Sequence, residues 1–150
     1  MEIQRLTSND KELVKQCDKL LIKLFKEESV YDDNYNVVED LNSLICNLES
    51  ENNILLVAKE NDIVLGFLFG FVKKNKMSKE AVANLSYIYV ESNYRNNKIA
   101  TKLIDEFLLL MKKNLVEIIE VKCYKDNDAA NNLYKKYGFD VLYSSYRKRI

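Results

Sequence analysis

A mixed α/β fold, one sheet flanked by helices, is what the sequence predicts, and three observations predict it. Two β-rich runs, Ile54 to Lys59 and Ile63 to Val72, are separated only by Glu60, Asn61 and Asp62, a tight polar turn that makes an antiparallel hairpin. The second half runs strand, helix, strand, helix, which implies a parallel pair beside the hairpin. At 150 residues with 47% hydrophobic content, the chain fits one compact domain, residues 1–150, and no composition shift marks a second.

The elements follow in order. Glu2 to Leu6 alternates as a short strand, and Leu13, Cys17, Leu20 and Leu24, with Val14, Leu21 and Phe25 beside them, trace an amphipathic helix. Glu27 to Asn36, rich in acids and tyrosines, breaks that pattern as an exposed loop before Val38, Leu41, Leu44, Ile45 and Leu48 restore a helical period. After the hairpin, which Gly66 and Gly70 let bend, Lys73 to Glu80 is a charged loop. Ala83 to Val90 is the third long strand, with Leu85, Tyr87 and Tyr89 opposite Ser86, Ile88 and Val90. Ile99, Leu103, Phe107 and Leu110 mark a helix, Val116 to Cys123 a strand, Ala129 to Tyr137 a helix, and Val141 to Arg147 a last strand.

Composition excludes several functions. Basic and acidic residues number 23 each, so no whole-molecule field favours nucleic acid or an acidic membrane. The basic-aromatic run Tyr143 to Arg149 reads more simply as the charged end of the final strand. No apolar stretch approaches the roughly 20 residues of a membrane span, and Met1 leads into a polar segment, so a cytosolic (cytoplasmic) protein is expected. The absence of His removes the usual zinc patterns and any His-based triad, so no metal is expected and proton transfer falls to Tyr, Asp, Glu, Lys, Cys or water. Cys17 and Cys46, on apolar helix faces, read as small buried hydrophobes.

Two stretches carry chemistry. Arg95 to Thr101 (RNNKIAT) lies where a strand ends and a helix begins, so its turn and first-turn N–H groups converge on a spot that attracts phosphate. Arg95, Lys98 and Lys102 add positive charge, and Ala100 leaves room for close approach; a solvated turn is the plainer alternative. The second stretch, Asp126 to Gly138, is a delimited helix with Asp126 or Asn127 as N-cap and Gly138 just past its end. Tyr134 shares a face with Ala130, Leu133 and Tyr137 and reads either as core or as an acid. A phenol titrating near about 10 can serve a leaving thiolate whose own value is near about 8.5.

Together these pieces resemble the GCN5-related N-acetyltransferase family, well over Ile54 to Phe139 and only in pattern over the first fifty residues. The family's pyrophosphate loop is similar to Arg95, Asn96, Asn97, Lys98, Ile99 and Ala100, with Lys98 where Gly is usual. Asn127 falls on the family's pantetheine-contacting Asn, Tyr134 on its Tyr that protonates departing coenzyme A, and Gly138-Phe139 completes the ending. The resemblance implies a mostly antiparallel sheet of six or seven strands with a splayed parallel pair. It also implies acetyl-CoA as co-substrate, gripped by residues 95–101, by Asn127 and by the backbone of Ile88, Tyr89 and Val90. That backbone is an oxyanion donor, a contribution often worth roughly 3 kcal/mol.

By the same resemblance a small cationic or peptide amine attacks directly in a ternary complex, Cys123 is wall and not nucleophile, and a homodimer is possible. A catalytically inactive CoA-binding or interaction module on the same fold is the competing reading. Family members often carry a Glu base where this chain has Ser86, so another group must take the proton. Candidates are a water held near Ser86 and Tyr87 or Tyr89, or an acid among Glu27, Glu28, Asp32 and Asp33, a cluster whose charge also suits a cationic acceptor.

Overall fold

A computed structural model describes residues 1–39 and 42–150 of the chain. In order it contains β1 (Glu2–Leu6), α1 (Lys11–Glu28), a 3-10 turn (Ser29–Tyr31), α2 (Ser43–Asn47), β2 (Asn53–Glu60) and β3 (Ile63–Lys73). There follow β4 (Val82–Val90), a second 3-10 turn (Ser92–Tyr94), α3 (Ile99–Lys113), β5 (Ile118–Val121) and α4 (Asp128–Lys136). The five strands lie in sequence order, β1 to β4 antiparallel and β4–β5 parallel. The sheet is therefore mixed, as the hairpin and the strand-helix alternation require.

Helices cover both faces, which explains why β2 and β3 read as nearly continuous apolar runs. Ile54, Leu56 and Ala58 of β2 point to one core with Leu103, Phe107 and Met111 of α3. Leu55 and Val57 point to the other, with Val14, Cys17 and Leu21 of α1 and Leu44 of α2. A buried carboxylate joins the two helices of that second core: Asp18 accepts from Ser43 Oγ at 3.1 Å and from the Leu44 N–H at 3.0 Å. Desolvating a carboxylate is costly, and N–H and O–H donors offset that cost.

The third long strand differs from the expected alternation. Phe69 pairs with Tyr87 but Gly70 pairs with Leu85, so Ser86 is an extra residue, a β-bulge. The bulge sends Ala83 and Leu85 to the α3 face with Val90, while Tyr87 and Tyr89 pack on the α1 face. Leu85 is thus on the opposite face from the two tyrosines, against the simple period-two reading. Gly70 sits against this irregularity, where a Cβ would lie 2.7 Å from the Asn84 carbonyl oxygen and 2.8 Å from the Phe107 ring. Gly70→Ala should cost about 1–3 kcal/mol, read as a lowered urea midpoint, because backbone and a buried ring must both shift.

Other expectations need correction. The sheet has five strands among the described residues, and not six or seven, because Val141 to Arg147 joins no strand of it. A strand persists only within a ladder, and here Val141 (84% exposed) and Tyr146 (94%) are in solvent while Arg147 and Arg149 reach across to Asp32 and Asp33. The helix expected from Val38 to Leu48 is the single turn of α2; Val38 is exposed outside any helix, and Leu41 lies outside the described residues. Cys17 is buried, whereas Cys46 is exposed. No helix among the described residues is long and apolar enough to cross a membrane.

Candidate active site

β4 and β5 pair only from Val82↔Ile118 to Leu85↔Val121. Past Leu85 the outer edge of β4, Ser86 to Val90, faces no strand among the described residues, so the parallel pair parts where the bulge begins. The backbone singled out from sequence, Ile88, Tyr89 and Val90, runs along this stretch; the register turns the main-chain groups of Tyr89 toward Phe67 of β3, leaving Ile88 and Val90 on the outer side. The side chain of Tyr89 points elsewhere: its hydroxyl donates to Glu27 Oε1 at 3.2 Å, and its ring lies 5.1 Å beneath the Arg95 guanidinium.

The turn into α3 lies directly after this edge. Among the described residues no N–H from Asn96 to Thr101 donates to a protein acceptor, the first helical bond being Lys102 N–H to the Lys98 carbonyl at 3.0 Å. Asn96 (φ 64) and Lys98 (φ 60) are both left-handed, which folds consecutive amides into a concavity of the kind that binds anions. The α3 dipole adds positive potential at the same point. Ile99 is buried and anchors the first turn, Ala100 and Thr101 are half-buried, and Lys98 is exposed.

Lys98 shows why Gly is the easier residue there: a Cβ in the left-handed region is strained. Lys98→Ala should be less stable than Lys98→Gly by about 1 kcal/mol in thermal denaturation, since both lose the ammonium and only Ala keeps the strain. Asn97 Nδ2 closes the turn on the carbonyls of Tyr94 and Arg95, each at 3.2 Å.

Arg95 is placed differently from the lysines. Its Nε donates to the Val90 carbonyl at 2.9 Å and its Nη2 to Glu27 Oε1 and Oε2 at 2.8 and 3.0 Å. The guanidinium thus fastens the turn to α1 and the end of β4, and positive side-chain charge around the turn comes from Lys98 and Lys102.

α4 begins at Asn127, whose Oδ1 caps the helix by accepting from the Ala130 N–H at 3.2 Å. Gly138, at φ +82, ends it. Tyr134 is 7% exposed, packs edge-on to Phe139 at 5.6 Å, and belongs to the core. Its hydroxyl makes no hydrogen bond among the described residues. Burial, with Cys123 and Glu28 nearby, pushes its pKa well above the ordinary phenol value, so the phenol stays protonated. Burial also pushes the Cys123 thiol up, away from the reactive thiolate, and the thiol donates weakly to Asn131 Oδ1 at 3.5 Å.

Several residues here escaped the motif reading. Asn131 Nδ2 holds the loop between β5 and α4 by donating to the carbonyls of Tyr124 and Asn127 at 3.0 and 2.8 Å. Tyr124 stacks on Tyr31 and tilts against Tyr35. Phe25 packs edge-on to Tyr87 at 5.6 Å, and Tyr35 donates to Glu28 Oε2 at 3.2 Å. The unusual density of tyrosine in the Glu27–Asn36 segment was the available signal. Asp32 and Asp33 were expected to draw a cationic acceptor, but Arg147 and Arg149 already hold them; Arg147 lowers the Asp32 pKa to about 2.

A mixed sheet flanked by helices, whose parallel pair parts beside a helix start, is an α/β fold shared with acyl-transferring enzymes. The chain belongs to the Acetyltransferase (GNAT) family, whose model matches residues 17–139. Among curated proteins none matches the chain in sequence. Solved structures match over nearly its whole length. A tetramutant of the BH1408 protein from Bacillus halodurans has a TM-score of 0.87 at 16% identity, covering 100% of both chains. An aminoglycoside acetyltransferase from an uncultured soil metagenomic sample, solved with sisomicin, has a TM-score of 0.76 at 22% identity, covering 99% of this chain and 96% of that one. A ribosomal-protein-alanine N-acetyltransferase from Brucella melitensis biovar Abortus 2308 has a TM-score of 0.71 at 16% identity, covering 100% of both chains. At these identities the likeness is one of fold, and acyl transfer is the chemistry of the family.

Proposed function

We propose that the protein is a cytoplasmic N-acetyltransferase that takes an acetyl group from acetyl-CoA and passes it to a primary amine by direct attack in a ternary complex. The observation that carries this reading is the undonated N–H run from Asn96 to Thr101, at a helix start beside the unpaired edge of β4. A free anion cradle next to an open row of main-chain donors fits a long co-substrate with phosphates at one end and a carbonyl at the other.

Acetyl-CoA supplies an activated acetyl thioester. Residues 96–101 hold its diphosphate, with Lys98 and Lys102 adding charge. The outward amides of Ile88 and Val90 orient the pantetheine arm and stabilise negative charge on the acetyl oxygen. Asn127 marks the α4 side of the same opening. Tyr134, protonated across the working pH range, donates its hydroxyl hydrogen to the departing sulfur. The raised thiol of Cys123 argues against a covalent acyl-cysteine route.

Calorimetry with acetyl-CoA, followed by thiol-release assays across a panel of amines, tests the reading. Binding followed by amine-dependent release of free thiol is expected. Heat on binding without turnover with any amine would instead favour an inactive CoA-binding module, the alternative that Ser86, in place of a carboxylate, brings into consideration.

A further inference from the structure

We infer that Glu28 takes the acceptor's proton, and that the tyrosine cluster around it, Tyr35, Tyr87, Tyr124 and Tyr134, seats a cationic primary amine. This rests on the N-acetyltransferase reading above and supplies the base that Ser86 does not.

The four acids at and after the end of α1 are not alike. Glu27 pairs with Arg95, Asp32 with Arg147, and Asp33 with Arg147 and Arg149. Glu28 is half-buried, pairs with no cation among the described residues, and accepts only from the Tyr35 hydroxyl at 3.2 Å. Its charge opposes ionisation of four tyrosines brought from separate elements: Tyr35 after α1, Tyr87 on β4, Tyr124 after β5 and Tyr134 on α4. Those four groups are the titratable ones its charge acts on among the described residues, and no positive side chain is among them.

A half-buried carboxylate without a counter-charge is costly, and an ammonium supplies that charge while gaining the faces of the surrounding rings. A second observation bears on the same cluster. The Tyr134 hydroxyl, on a side chain only 7% exposed, has no partner among the described residues and feels the Glu28 charge. Base and acid are thus near enough for the charge of one to act on the other, and Tyr35, bonded to Glu28, tilts against Tyr124. Burial raises the Glu28 pKa above its ordinary value, only partly countered by the Tyr35 hydrogen bond, which moves the carboxylate closer to neutral as a base.

The proton count closes as follows. An ammonium N–H proton goes to a Glu28 oxygen and from there to solvent. The freed lone pair attacks the acetyl carbon, the C–N bond forms and the C–S bond breaks, and the sulfur takes the Tyr134 proton. The nitrogen's second surplus proton restores the phenol. One amide, one thiol and one released proton result.

Glu28→Gln tests this, with 1,4-diaminobutane as acceptor. The variant should bind acetyl-CoA as the native protein does and lose about 10²–10⁴-fold in kcat/KM at neutral pH. That deficit should narrow as pH approaches the amine's own pKa, because a free amine needs no base; damage to packing alone would leave it constant. In the native protein, the ¹³C resonance of the Glu28 carboxyl should titrate above the ordinary glutamate range, and added 1,4-diaminobutane should lower its midpoint, since a nearby cation favours the carboxylate. An unchanged or pH-independent rate deficit, or a Glu28 resonance indifferent to the amine, overturns the assignment. If the native protein binds acetyl-CoA yet acetylates no amine, the enzymatic reading falls first, and Glu28's role with it.

Discussion

Tyr134→Phe should reduce acetyl transfer by about 10²–10⁴-fold in kcat while leaving acetyl-CoA affinity and the melting temperature nearly unchanged. The ring keeps its place against Phe139 and in the α3-side core, so the substitution removes one oxygen and little packing. That oxygen has no hydrogen-bond partner among the described residues, so no buried donor or acceptor is orphaned by its loss. Phe at a core position would pass unnoticed; Phe at an acid position would not, and this is how the two sequence readings of Tyr134 separate.

The direction of the Tyr134 pKa also constrains the pH dependence. Burial raises it, so the phenol is the stable form and no loss of activity from its ionisation should occur below the ordinary phenol range. The proton it gives to the departing sulfur is returned by the attacking nitrogen, so the phenol is protonated again at the end of each turnover. A pH–kcat profile of the native enzyme should therefore be limited on its acidic side by the base and the amine. A descending limb that disappears in Tyr134→Phe at mildly alkaline pH would contradict this.

How much of this was legible in the chain depends on whether the determining contact was local. The hairpin of β2 and β3, the helical stripe of α3, and α4 with its Asn127 cap and Gly138 stop are written in short-range periodicity and capping chemistry, and they form as expected. The strand end, polar turn and helix start around Asn96 to Thr101 were readable for the same reason: they follow one another in the chain. Leu85 was assigned to the wrong face because alternation says nothing of an extra residue at Ser86, which depends on how β4 meets Gly70 and Phe107.

The final segment failed for a related reason. Val141 to Arg147 has the composition of a strand, but a strand is a property of a pair, and its arginines find carboxylates more than a hundred positions earlier in the chain. That pairing also removes Asp32 and Asp33 from the acceptor's field, and it leaves Glu28 as the uncompensated acid. Glu28 could be named as one of four from sequence. Its distinction from the others comes entirely from which cations the fold brings to its neighbours.

Reversing the two lysines beside the cradle, Lys98→Glu with Lys102→Glu, should weaken acetyl-CoA binding by about 100-fold or more while leaving the fold as stable as before. Both side chains are exposed, and among the described residues neither pairs with a carboxylate, so the substitutions break no internal contact. Glutamates at the start of α3 interact favourably with its dipole, by about 0.3–1 kcal/mol each, where lysines interact unfavourably. The melting temperature should therefore hold or rise. Binding should move the other way. At about 8 Å and an effective dielectric near 20, a unit charge pair is worth about 2 kcal/mol, and salt screening roughly halves it. Turning attraction into repulsion counts that twice at each of two positions, which gives about 3–4 kcal/mol, more than the factor of 100 stated. Calorimetric titration with acetyl-CoA at two ionic strengths measures both parts: native affinity should fall as salt is added, and the variant's should fall less or rise. An affinity unaltered by the double reversal would mean that the diphosphate lies elsewhere and that the amides of Asn96 to Thr101 are open to water alone.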